Sequence, residues 1–369
     1  MSAAHPQISG RVKVLPLRER QSLSSIEEVL VDPDADPPSC DAQTSAIQQR
    51  CAAAIRVARQ KGSGVLMFYG AHLIKNGGAL LLARLLQHRC VTHLATNGAG
   101  AIHDWEFAYH GRSTESVREN VASGTFGSWD ETGRFMHLAL MTGALRGEGY
   151  GQSLGRFISE EGCRLPNSRD LETVIRSDLA NPLSPAHVEL LVAMKKHHLE
   201  GGPLTVPHSW KRTSTLATAF AYGVPLTVHP GIGYDIIATH PLFNGAVLGR
   251  AADVDFKVLT HSVDSLDGGV ILCIGSAVMG PQVFEKSLSI VNNLRLQAGR
   301  PIVHAHQIFV VDLQDAGGWD WNRGEPPRTN PAYYLRFCKS FARMGGTMEY
   351  ACCDNIAFLH GLSQLLLRA

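Results

Sequence analysis

The sequence predicts an α/β fold, a doubly wound, largely parallel sheet with helices on both faces. Three observations predict it. Apolar runs of strand length, such as Val65-Leu66-Met67-Phe68-Tyr69, carry no polar alternation, as expected of strands buried on both faces. These runs alternate along the chain with segments whose apolar residues recur at helical spacing, which is how parallel strands joined by crossover helices read. Many of the 36 glycines fall directly after an apolar run, where a tight strand-to-helix turn uses them.

The elements follow in order. Residues 1–43 carry a Pro/Asp-rich stretch, Asp32 to Pro38, and are expected to form an irregular lead-in. Residues 44–369 are expected to form a single α/β domain with a helical excursion at about 136–202. Thr44–Lys61 places Ile47, Cys51, Ile55 and Ala58 at helical spacing, and Gly62–Gly70 reads as the first strand. A polar turn, a helix over Ala79–His88, a strand at Val91–Ala95 and a small-residue turn at Thr96–Ala101 come next. Ser113–Arg118 reads as helical. Ser184 reads as the cap of a helix with Pro185 at its first position. From Trp210 the alternation returns. Helices are expected at 210–222, 252–266, 283–298, 331–344 and 355–367, and strands at 224–228, 269–274, 302–311 and 348–353.

Composition narrows the function. A formal net charge of +1 gives no electrostatic reason to expect nucleic acid or an anionic membrane as partner. No apolar run approaches the roughly 20 residues a spanning helix needs. Met1 to Gly10 lacks a basic-then-apolar leader, so a cytoplasmic protein is expected. The eight cysteines follow no metal-finger spacing and read as reduced, mostly buried thiols. His304-x-His306 shares a strand face but has no evident third ligand, so no metal is expected.

Three turns attract attention as ligand sites: Gly70–Gly78, Thr96–Ala101 and Gly275-Ser276-Ala277. Small residues at the ends of parallel strands let backbone N–H groups approach a pyrophosphate, and the start of the following helix favours negative charge. There is no G-x-G-x-x-G fingerprint, and ordinary tight turns look the same. His103-Asp104, with His72, could form a proton-relay pair. Asp235 and Asp354 each precede a helix start and read equally as caps.

Taken in order, Gly70-Ala71-His72-Leu73-Ile74-Lys75-Asn76-Gly77, Val91 through Asp104, Gly124-Thr125-Phe126-Gly127, Glu131 through Phe135, Gly275-Ser276-Ala277 and Asn330 through Lys339 resemble the deoxyhypusine synthase family, in particular its prokaryotic deoxyhypusine-synthase-like branch. The resemblance spans roughly residues 60 to 365. It implies an NAD-dependent transferase that moves an aminobutyl group from a polyamine such as spermidine to an acceptor amine through a lysine imine. It also implies a homotetramer with active sites between subunits, and leaves any acceptor protein unidentified. Related chemistry on another small molecule, and a non-catalytic NAD-binding homologue, are the alternatives.

Carried over by position, the resemblance makes Lys339, eight residues after Pro331, the covalent carrier. It assigns Asp235, Phe337, Tyr333 and Gln282 to the substrate. Phe337 replaces a family tryptophan, Tyr333 an acidic residue, and a family histidine falls at Pro281-Gln282. To the cofactor it assigns Ala71, His72, Thr96, Asn97, Gly98, His103, Asp104, Gly275, Ser276, Ala277, Asp354 and Asn355. For Lys339 the residues alone allow a second reading, an exposed lysine on a helix.

Overall fold

The computed structural model describes residues 11–367. They divide into two compact units. The first comprises residues up to Glu28, Ile102–Ala217 and Pro230–Val254. The second comprises Val29–Ala101, Thr218–His229 and Asp255 onward.

The second unit carries the sheet. Its six strands are β1 (Val65–Tyr69), β2 (His93–Asn97), β3 (Leu226–His229), β4 (Val270–Ile274), β5 (Gln307–Asp312) and β6 (Thr347–Cys352). Every neighbouring pair is parallel, and the order across the sheet is 3-2-1-4-5-6. All five residues of β1 and of β4 are buried, which is why neither run shows polar alternation. Successive side chains in a strand point to opposite faces. Leu66, Phe68, Ile271, Cys273, Ile308 and Val310 therefore share one face, where they join a core with Leu259 and Val263, Phe284 and Leu288, and Phe337 and Phe341. The other face meets the helix Ala42–Gln60, which contacts β1, β4 and β6, and the helix Asn355–Leu367, which contacts β5. The sheet is thus wound on both faces, as its sequence pattern indicated.

The first unit is mostly helical, with the helices Asp130–Ala144, Tyr150–Ser159, Ser168–Ser177 and Ser184–His197. Two small antiparallel ribbons complete it, Ser22–Ser25 with Arg112–Glu115 and Gly162–Leu165 with Gly202–Thr205. The first ribbon revises two expectations. Arg112–Glu115 is a strand where a helix was read, because pairing with a segment far away in the chain outweighs local propensity; the helix starts later, at Val117. The lead-in is also anchored, since Arg20 makes a buried ion pair with Glu106 at 2.7 Å.

Smaller differences have local causes. The helix expected from Pro185 begins one residue earlier, at its expected cap Ser184, with Leu183 in the cap position. The segment read as one helix over 331–344 is a 3-10 turn, Pro331–Tyr334, followed by the helix Arg336–Ala342. The excursion after Phe135 is mostly regular helix.

Candidate functional site

In a parallel sheet all carboxyl ends lie along one edge. In the order 3-2-1-4-5-6 the direction of winding reverses between β1 and β4, and sheets of this order bind ligands outside the carboxyl ends at that point. The two residues that end these strands are glycines. The Gly70 N–H donates to the Ile274 carbonyl at 3.0 Å. The backbones pass so closely that a Cβ on Gly70 would lie 2.0 Å from the Gly275 oxygen. Gly275 has φ +60°, and a Cβ there would lie 2.4 Å from Asn355 Nδ2. Gly70, Gly275 and Asn355 therefore converge from three separate parts of the chain.

The neighbouring turns complete the edge. Gly70 opens the short helix Ala71–Lys75 with no side chain capping it, so Ala71 and an exposed His72 form an uncapped first turn. Ser276 is buried, its Oγ accepting from Gly280 N at 3.0 Å at the start of the helix Met279–Gln297, with Ala277 half-buried beside it. At the end of β2, the Thr96 hydroxyl donates to the Tyr69 carbonyl at 3.1 Å, tying β2 to β1. Asn97 Oδ1 accepts from Gly100 N at 2.8 Å. The expected turn over 96–101 is thereby corrected: Asn97 caps directly, and Gly98 is already the first residue of the helix Gly98–His110. Small residues allow this, since a Cβ on Gly100 would lie 2.2 Å from Thr96 Oγ1.

Asp354 and Asn355 follow β6. Asp354 Oδ1 accepts from the N–H groups of Ile356 and Ala357, both at 2.9 Å, which is the capping role. Asn355 is buried, and its Oδ1 has no hydrogen-bond partner. A buried acceptor left unpaired is costly. Ten of the twelve proposed cofactor residues, all but His103 and Asp104, therefore lie at one edge of one sheet.

The other assigned residues take other positions. His103 and Asp104 belong to the first unit and are committed there. His103 Nδ1 pairs with the Ser113 hydroxyl at 2.7 Å. The Asp104 carboxylate, 1% exposed, accepts from the Ser214 hydroxyl, Thr215 N and Leu216 N, so it anchors the start of the helix Thr215–Tyr222. Burial pushes its pKa up to about 6 against those hydrogen bonds. Asp235, also in the first unit, is buried, and its carboxylate turns back to accept from Gly231 N at 2.8 Å. Burial raises it to about 6 as well.

Lys339 lies half-buried on the helix Arg336–Ala342 with its Nζ 3.8 Å from the centre of the Tyr333 ring. An aromatic face favours the charged ammonium. A nucleophilic lysine needs its neutral form favoured. Phe337 is core, packed against the Tyr350 ring at 6.3 Å, and Gln282 is exposed on the helix Met279–Gln297. Among the described residues no group of three or more His, Cys, Asp or Glu side chains could hold a metal, and no helix is long and apolar enough to cross a membrane.

One buried polar chain escaped the sequence reading. His93 bridges the Ser262 hydroxyl at 2.8 Å and the Thr227 hydroxyl at 2.9 Å, and Thr227 reaches His229 at 3.1 Å. Burial depresses His93 to about 3 and His229 to about 4. The only trace in the sequence is Thr227-x-His229, two positions apart on a strand and hence on one face.

Comparison with known proteins adds little to this geometry. No family model and no curated protein matches the sequence. Solved structures that match include unliganded AgrE, at 13% identity and a TM-score of 0.43 over 89% of this chain and 33% of that one. ArgZ, an arginine dihydrolase from the ornithine–ammonia cycle in cyanobacteria, matches at 14% and 0.39 over 88% and 33%. A conserved LOR/SDH protein from Methanococcus maripaludis S2 matches at 12% and 0.42 over 96% and 76%. The chain spans about a third of the length of AgrE and ArgZ. These findings correct the resemblance to deoxyhypusine synthase: no family model supports it, and the structures brought up here are of other proteins.

Proposed function

We propose that the second unit binds NAD across the carboxyl edge of its sheet and that the chain is an NAD-dependent enzyme. The observation that carries this reading is the strand order 3-2-1-4-5-6, with the Gly70–Gly275 contact at the point of reversal. In sheets of this order one mononucleotide half lies over strands 1–3 and the other over strands 4–6.

The residues present fit such a ligand. The uncapped turn at Gly70-Ala71-His72 presents backbone N–H groups where a pyrophosphate would lie. Asn97 stands at the tip of β2, where an acidic residue ordinarily takes the ribose hydroxyls. Its Oδ1 is engaged with Gly100, which leaves Nδ2 as the group for a ribose oxygen. Asn355, beside Gly275 at the β4–β6 half, has the unpaired carbonyl a nicotinamide carboxamide could satisfy. Bound there, NAD supplies hydride acceptance and donation. The chain's own part is to hold the dinucleotide extended and to orient its reactive end.

Titration calorimetry with NAD+ and NADH is the test. Saturable binding is expected, and Asn355→Leu is expected to weaken it about tenfold, or about 1.4 kcal/mol. The same substitution removes an unpaired buried acceptor, so the ligand-free protein should be no less stable. Absence of binding heat with both forms of the dinucleotide, together with no thermal shift, would remove the reading.

A further inference from the structure

We infer that Cys40 and Cys353 form a redox-responsive dithiol, with Cys40 as the attacking thiol and Cys353 as the resolving one. The two sulfurs lie 3.6 Å apart although the residues are separated by 313 positions in the chain, and both belong to the second unit. That separation is van der Waals contact between unbonded sulfurs.

The surroundings assign the roles. Cys40 Sγ accepts from Gln48 Nε2 at 3.8 Å, a donor that would also support a thiolate, and the Cys353 sulfur lies 3.6 Å away. Cys40 lies two residues before the helix Ala42–Gln60, beside the capping residue Asp41. It is also partly open to solvent. Cys353 is likewise half-buried, and burial, then its hydrogen bond to Cys40, pushes its thiol up to about 12, which suits the later, resolving step. Cys352 is not the partner, because its sulfur turns to the Leu313 carbonyl at 3.5 Å.

The chemistry balances with a small-molecule disulfide as oxidant. The Cys40 thiolate attacks one sulfur of oxidised glutathione and releases a glutathione thiolate, leaving a mixed disulfide on Cys40. Cys353 then loses its proton and attacks Cys40 Sγ, and the second glutathione leaves as thiol. Two electrons pass from the protein to the oxidant, and the new bond ties the lead-in of the helix Ala42–Gln60 to the residue just before Asp354 and Asn355. A bond formed in this way is a reversible modification rather than a structural brace.

The test uses the full chain and does not depend on dinucleotide binding. After incubation with oxidised glutathione, peptide mapping under non-reducing conditions should show Cys40 linked to Cys353, two hydrogens lighter, and reducible by dithiothreitol. Cys353→Ser should stop at a stable glutathione adduct on Cys40, and Cys40→Ser should yield neither product. Cys353→Ala provides the same arrest should the serine variant fold poorly. Adducts chiefly on Cys352, or a wild-type protein in which Cys40 and Cys353 stay unlinked, would overturn the inference.

Discussion

Lys339 and Asn355 show how surroundings separate one reading of a residue from another. An amine that must attack a carbonyl needs desolvation or a nearby cation. Lys339 instead rests on the face of Tyr333, where the ring's charge distribution holds the ammonium. In the structure its Nζ stands 3.8 Å from the centre of that ring. Lys339→Ala and Tyr333→Leu should each cost about 0.5–1 kcal/mol, and the double variant little more than either alone. Urea denaturation of the four proteins measures this, and strictly additive losses would show that the contact contributes nothing. Asn355 looks in sequence like one more residue at a helix start. Only its burial without a partner for Oδ1 distinguishes it from Asp354, whose capping bonds are complete.

At the scale of elements, the strands were the most legible part of the chain. A strand buried on both faces must be apolar throughout, and β1 and β4 fall within three residues of their expected ends for that reason; β5 ends within one residue but starts five later, and β6, only partly buried, is displaced by one. Turns were less legible. Thr96 to Ala101 has the composition of a loop, yet its small residues serve to start a helix hard against β2. Gly70 is small for a different reason again. Its φ is −87°, which any residue adopts, so only the approach of Gly275 excludes a side chain. Gly70→Ala should therefore destabilise by about 1–3 kcal/mol through overpacking alone. Gly249, exposed within the helix Gly245–Val263 with nothing within 4 Å of a Cβ, is the control. Gly249→Ala should stabilise by about 0.5–1 kcal/mol. Chemical denaturation reads both, and similar effects at the two positions would contradict the steric account.

For the whole molecule, buried ionisable groups set the response to acid. His93 and His229 in the second unit, at about 3 and 4, and His137 and His208 in the first, both at about 4, are depressed chiefly by burial. A group whose folded pKa lies below its unfolded value contributes stability present above the unfolded value, near 6.5 for histidine, and lost as pH falls toward the folded one. Asp104 and Asp235, both raised to about 6 by burial, act the other way, giving stability that is present below about 4 and lost as pH rises through 6. Both lie in the first unit, so between about pH 6.5 and 4.5 they offset its histidines. Each histidine that is not offset steepens the loss by up to about 1.4 kcal/mol per pH unit. Hydrogen exchange across this range should show protection falling first in β2 and β3, and His93→Gln should flatten the dependence. Earlier loss in the helix Asp130–Ala144 would contradict the assignment.

The sequence by itself determined the class of fold and the positions of its sheet strands, because apolar periodicity is a local property set by whether one or both faces of a segment are buried. It also marked Gly70, Thr96–Gly98, Gly275–Ala277 and Asp354-Asn355 as residues at strand ends. Only the tertiary structure decided the order 3-2-1-4-5-6, since β1 pairs with β4 from far along the chain and no local signal encodes that choice. The same long-range packing engaged His103, Asp104 and Asp235 with partners in the first unit, placed Lys339 on an aromatic ring, and brought Cys40 against Cys353. Such contacts depend on which surfaces meet when the helices cover the sheet, and a linear pattern does not carry that information.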